Sequence, residues 1–208
     1  MKSGLQLGLV LLLALFSVNV LAQKSPLDDR LIRVMSSSAE TDKALINAKK
    51  VTFFCANCHG DDGNSAQNDV PNLAGQNPHY LLTQIDKFVH GQRQNQFMQG
   101  LMKMLSEEDR INATVFYSSK DVKISQKATS SAGRELYLSH CVMCHGAEGR
   151  GGDQIPRLAG QQSRYLVLSV TRYRNKTGER IYEPMSAITA GLKDAEILAL
   201  ATYLSSLN

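Results

Sequence analysis

The 208-residue sequence predicts an all-α protein made by tandem duplication of one helical unit. Three observations carry that prediction. The hexapeptide CANCHG at 55–60 returns as CVMCHG at 141–146. Apolar residues recur at helical spacing, with Ile197, Leu200, Ala201 and Leu204 at i, i+3, i+4 and i+7. No segment shows the sustained apolar–polar alternation of a half-buried strand.

The chain opens with Met1 and Lys2, then an apolar run over residues 7–18 that ends at the polar Asn19. Val20 and Ala22 follow as the small residues of a cleavage point after Ala22, so residues 1–22 read as a secretory signal peptide. A spanning helix needs about 20 apolar residues, and this run is too short. Export places the mature chain in an oxidising compartment, where bare cysteines normally end as disulfides. Residues 23–41 form a lead with no counterpart later in the chain and no evident role.

The first unit spans 23–119, the second 133–208, and the polar KDVKISQKATSSA at 120–132 reads as a linker. Helices are expected at 42–54 and 131–140 entering the cysteine motifs, at 80–89 and 165–174 in the middle, and at 106–118 and 194–207 at the close. Ser106 with Asp109 three positions on resembles a capping box. Pro-x-Leu-Ala-Gly-Gln recurs at 71–76 and 156–161, and Gly-x-Arg at 91–93 and 178–180. The offset drifts only from 86 at the cysteines to 85 and then 87, which short loop insertions explain. Tyr80 and Tyr165 are equally readable as plain core or as the wall of a cofactor site.

Composition excludes more than it assigns. Of 23 Lys and Arg only Lys2 falls in the signal, leaving 22 basic against 19 acidic residues. With no basic run and no aromatic-interleaved basic stripe, nucleic acid is not an expected partner.

The cysteine motif is the attachment sequence of c-type haem. Two thiols on one turn, Cys55 with Cys58 and Cys141 with Cys144, add across the two porphyrin vinyl groups, and His59 or His145 places an imidazole under the iron. A redox dithiol needs no histidine and belongs after a strand. A four-cysteine zinc site would gather ligands across 86 residues and ignore both histidines. Local disulfides would strain tight loops. Two covalent haems also supply the apolar mass that units of this size lack.

Taken together, the duplicated Cys-x-x-Cys-His-Gly, Pro-x-Leu-Ala-Gly-Gln, Tyr-Leu, Gly-x-Arg, Met and closing helix resemble the dihaem cytochrome c4 family, over about residues 43–208. The resemblance implies two class I cytochrome c-like domains packed with pseudo-twofold symmetry and two His/Met haems. It implies a periplasmic electron carrier working toward a terminal oxidase. Pro71 and Pro156 are then the prolines whose carbonyls accept the axial histidine's other N–H. Gly133 and Tyr137 are usual in the fold, and Asn47 and Val51 stand there in the first repeat. Tight packing of first on last helix is therefore less expected in the N-terminal half than in the C-terminal half.

A filled sixth position means a carrier, whereas an open one permits peroxide chemistry. Met185 is the methionine that follows the second motif. In the first repeat Met98, Met102 and Met104 compete. Met98 stands seven before Leu105, as Met185 stands seven before Leu192, so Met98 is the expected ligand and the other two are expected to pack. His79, His90 and His140 have no repeat equivalents and are expected at the surface or in loops. Electron transfer without substrate turnover follows, with donor and acceptor redox proteins as transient partners, membrane respiratory complexes foremost. No transmembrane segment is expected in the mature chain, and peripheral membrane association is compatible with this. The alternative is a dihaem subunit of a sulfide, thiosulfate or alcohol dehydrogenase.

Overall fold

The computed structural model describes residues 26–178 and 182–208, and the signal-peptide reading lies outside them. Ten helices and no strand occur among the described residues, apart from a single bridge between Gly152 and Ile155. In chain order they are α1 (Pro26–Met35), α2 (Ser38–His59), α3 (Pro78–Val89), α4 (Gln96–Met104), α5 (Glu107–Ser118), α6 (Ser131–His140), α7 (Val142–His145), α8 (Ser163–Asn175), α9 (Glu183–Thr189) and α10 (Asp194–Ser205). No described helix is long and apolar enough to cross a membrane.

The two halves are built alike. In the first, α2 packs on α5, and α3 carries α4. In the second, α6 packs on α10, and α8 carries α9. Each closing helix buries its stripe: Ile111 and Val115 in α5, and Ile197, Leu200, Ala201 and Leu204 in α10. The expected capping box is present, Ser106 accepting from the Asp109 N–H at 3.1 Å while Asp109 accepts from the Ser106 N–H at 3.3 Å.

The first-on-last packing differs in means between the halves. A Cβ at Gly133 would collide with the Ala199 carbonyl and stand 2.9 Å from Tyr203 Cβ, so glycine is what lets α6 approach α10. In α2 the buried Ala44 shares a core cluster with Ile111 and Val115 of α5, and Ala48 one turn on is buried too. The N-terminal half, where tight packing was less expected, thus packs its first helix on its last as well.

Three elements depart from the sequence reading. The lead 23–41 is not featureless: α1 lies on α2, α3 and α5, and Leu31 is fully buried in the cluster of Ala44, Leu82, Ile111 and Val115. The entering helix α2 does not stop at 54 but runs through the motif to His59, because Gly60 is the first residue to take a left-handed φ, 80°. The methionine segments are helices of their own, α4 and α9.

The halves meet through the duplicated loops. Gln76 accepts from the Arg157 N–H at 2.7 Å and donates to its carbonyl at 2.9 Å. Gln161, its repeat equivalent, accepts from the Asn72 N–H at 2.7 Å and donates to its carbonyl at 3.0 Å. Each glutamine thus pairs like a β-bridge with the residue after the other loop's proline, a reciprocal exchange with twofold character. Val122 sits between the loops, where a Cβ on Gly75 would stand 2.5 Å from one of its methyls and a Cβ on Gly160 2.6 Å from the other.

Candidate haem sites

In the first half, Cys55, Cys58 and His59 occupy the last turns of α2. In the second, Cys141 separates α6 from α7, and α7 carries Cys144 and His145. All four thiols are free. Burial pushes the Cys55 thiol up and the Cys141 thiol up to about 11, so both are neutral thiols at neutral pH. Tyr137 closes the second motif, its hydroxyl donating to the Gly146 carbonyl at 2.5 Å.

Both histidines are buried and held the same way. His59 Nδ1 lies 2.8 Å from the Pro71 carbonyl, and His145 Nδ1 lies 3.1 Å from the Pro156 carbonyl. A carbonyl can only accept, so Nδ1 carries the proton and Nε2 presents a lone pair. Burial lowers the pKa of each, with the proline carbonyls opposing, which keeps the rings neutral and able to ligate. Among the described residues no cluster of three or more His, Cys, Asp or Glu could hold a bare metal ion.

Met98 and Met185 are both half-buried, and each occupies the third position of its helix, Met98 in α4 and Met185 in α9. The Met98 N–H is capped by the Asn95 side chain at 3.0 Å. Since α4 packs on α3 and α9 on α8, each methionine reaches its half on a different element from the histidine. Met102 is buried, as a packing residue should be, but Met104 is 82% exposed and packs nothing. It is the last residue of α4.

Of the other histidines, His140 is exposed at the end of α6 and His90 caps α3, its Nδ1 2.8 Å from the Asp86 carbonyl. His79 departs from the surface expectation. It is the second residue of α3, with Nδ1 3.2 Å from the buried Asp28 of α1 and Nε2 3.8 Å from Asp153 of the second half.

The donor sets fit haem c. Beyond thiols and free imidazole nitrogens, the buried hydroxyls of Thr114 and Ser186 lack a partner among the described residues, while the Tyr117 hydroxyl meets the Cys55 thiol. Ser186 follows Met185 directly, and the Tyr117 ring covers Gly63 in the loop beyond His59. Buried orphan hydroxyls are rare in finished structures, and the one beside Met185 is a place that a bound group or a water would satisfy. Nothing in the sequence singled them out, because Tyr117 aligns with Leu204 and Thr114 with Ala201.

The cytochrome c family model matches residues 45–117 and 130–208, one match for each half. Cytochrome c4 of Stutzerimonas stutzeri is 30% identical over 177 residues, covering 74% of this chain and 84% of that protein. The chain belongs to the cytochrome c4 family. The thiosulfate dehydrogenase electron acceptor of Stutzerimonas stutzeri strain A1501 is 31% identical over 177 residues, covering 76% of this chain and 81% of that protein. The crystal structure of reduced recombinant cytochrome c4 from Pseudomonas stutzeri superposes with a TM-score of 0.69 at 26% identity, covering 79% of this chain and 98% of that one. As a member of the cytochrome c4 family, the chain is a dihaem c-type electron-transfer protein working with redox partners rather than an enzyme.

Proposed function

We propose that this family member is a periplasmic carrier whose two irons each hold one histidine and one methionine, His59 with Met98 and His145 with Met185. Haem iron, when bound, supplies a one-electron ferric/ferrous couple. The protein's part is to fix the ligands and keep water away. The carbonyls of Pro71 and Pro156 orient the rings, raise their basicity and select the tautomer. Soft thioethers favour the ferrous state and leave no position open for peroxide or oxygen.

The observation that carries this reading is the equivalence of the halves down to single atoms: the same carbonyl on the same ring nitrogen, and a methionine at the third position of the equivalent helix. Domain limits of 23–119 and 133–208, a linker at 120–132 and cleavage after Ala22 belong to the same reading, as does delivery of electrons toward a terminal oxidase. The experiment is Met98→Ala beside Met102→Ala and Met104→Ala. Met98→Ala is expected to halve the far-red Met-to-ferric-iron absorption and the other two to leave it intact. If either neighbour halves it and Met98→Ala does not, the register is wrong.

A second reading is favoured by the relative described as a thiosulfate dehydrogenase electron acceptor. The same two haems would then draw electrons from a periplasmic dehydrogenase as its cytochrome subunit. Gel filtration separates the two: a free carrier elutes at the mass of one chain, a subunit with its catalytic partner.

A further inference from the structure

Helix α2 carries an apolar stripe that the fold does not use. Ile46 is 67% exposed and Phe53 70% exposed, two turns apart. At about 100° per residue they share one line on the helix, with Lys49 and Lys50 on either side and Asn57 one turn on. Both lysines are exposed and form no ion pair among the described residues. Asp42 is the one acid on this arc.

Two facts separate the stripe from the haem site and from the scaffold. Cys55, Cys58 and His59 all lie at least about 120° around α2 from Phe53, so a group bonded there leaves Phe53 uncovered. The second half builds the same helix with Ala132, Glu135, Leu136 and Ser139 at the places of Ile46, Lys49, Lys50 and Phe53. The scaffold therefore requires neither the exposed ring nor the basic flank. Phe54 links the stripe to the motif: its ring meets that of Phe53 edge-on at 5.6 Å, and it precedes Cys55.

We infer that this face of α2, in the N-terminal half alone, is the docking surface for one redox partner, a protein presenting an apolar patch flanked by carboxylates. An aromatic centre with a charged rim is how transient protein interfaces are composed. The rim here is positive, which fixes the partner's charge as negative. A membrane surface fits less well. Interfacial helices bind through a broad apolar face, and the apolar face of α2 is already buried against α5 and α1. The inference rests on the electron-carrier reading and gives its two halves different jobs: one receives a docked partner here, the other exchanges elsewhere.

The test gives α2 the residues of the second half, Ile46→Ala, Lys49→Glu and Phe53→Ser together, in the protein with both haems. Reduced flavodoxin, an acidic flavoprotein, is the protein probe: it loses one electron and one ferric iron becomes ferrous. Hexaammineruthenium(II), which needs no docking, is the control donor, and anionic phosphatidylglycerol vesicles are the lipid probe. The triple variant is expected to react about tenfold more slowly with flavodoxin and at an unchanged rate with the ruthenium complex. Phe53→Ser alone should produce part of the loss. Equal flavodoxin rates for variant and wild type would overturn the proposal. So would vesicle binding by the wild type that the variant loses. Failure of the ruthenium complex to reduce the wild-type protein would sink the carrier reading itself.

Discussion

A single donated hydrogen bond decides what His59 and His145 can do. With Nδ1 bound to a proline carbonyl, each ring offers Nε2 and cannot turn over without breaking that bond. This role for Pro71 and Pro156 was implied by the family resemblance and is what the structure contains. Gly133 is the other residue on which local geometry turns. Gly133→Ala is expected to cost about 1–3 kcal/mol by forcing α6 off α10. Asn47→Ala, at the half-buried equivalent place in α2, should change stability little. Denaturant unfolding of the holoprotein measures both, and a neutral Gly133→Ala would mean the helices are not in the contact described. What stayed hidden at this scale were partnerships across the halves. Gln76 and Gln161 were visible as repeated letters, but a side chain that pairs with backbone 81 or 89 residues away leaves no local pattern.

Helices α2, α3, α5, α6, α8 and α10 were readable because each runs ten residues or more and has its counterpart at the repeat offset, and in α10 the buried stripe shows period 3.6 directly. The methionine helices α4 and α9 were not, being nine and seven residues long, with Gly100 inside one and Pro184 at the start of the other. Register alone singled out Met98 and Met185 as candidates without their helices. Helix α1 was invisible for another reason: duplication was the guide, and α1 has no copy. Its place in the core carries a prediction. Leu31→Ala should destabilise the N-terminal half by about 2–5 kcal/mol. Hydrogen exchange across α2 and α5 would register the loss. Unchanged exchange there would show that α1 merely lies on the surface.

Across the whole molecule, two copies of one haem-binding unit face each other through their own most repeated loop. Gln76 pairs with the Arg157 backbone and Gln161 with the Asn72 backbone, Gln162 donates to the Ser65 carbonyl at 2.7 Å, and Val122 fills the gap between Gly75 and Gly160. Such mutual pairing ties the two halves together across their duplicated loops. The two copies differ along the α2 stripe, while both keep a histidine paired with a proline carbonyl.

The central claim is that both irons are closed by methionine, and a redox titration of the purified protein with ferric spectra of each site tests it most directly. The account predicts two one-electron steps at high potential, both ferric sites low-spin, and Met-to-ferric-iron absorption at the strength of two haems. One high-spin ferric site, or absorption at the strength of one, would contradict it and point to an iron open for catalysis.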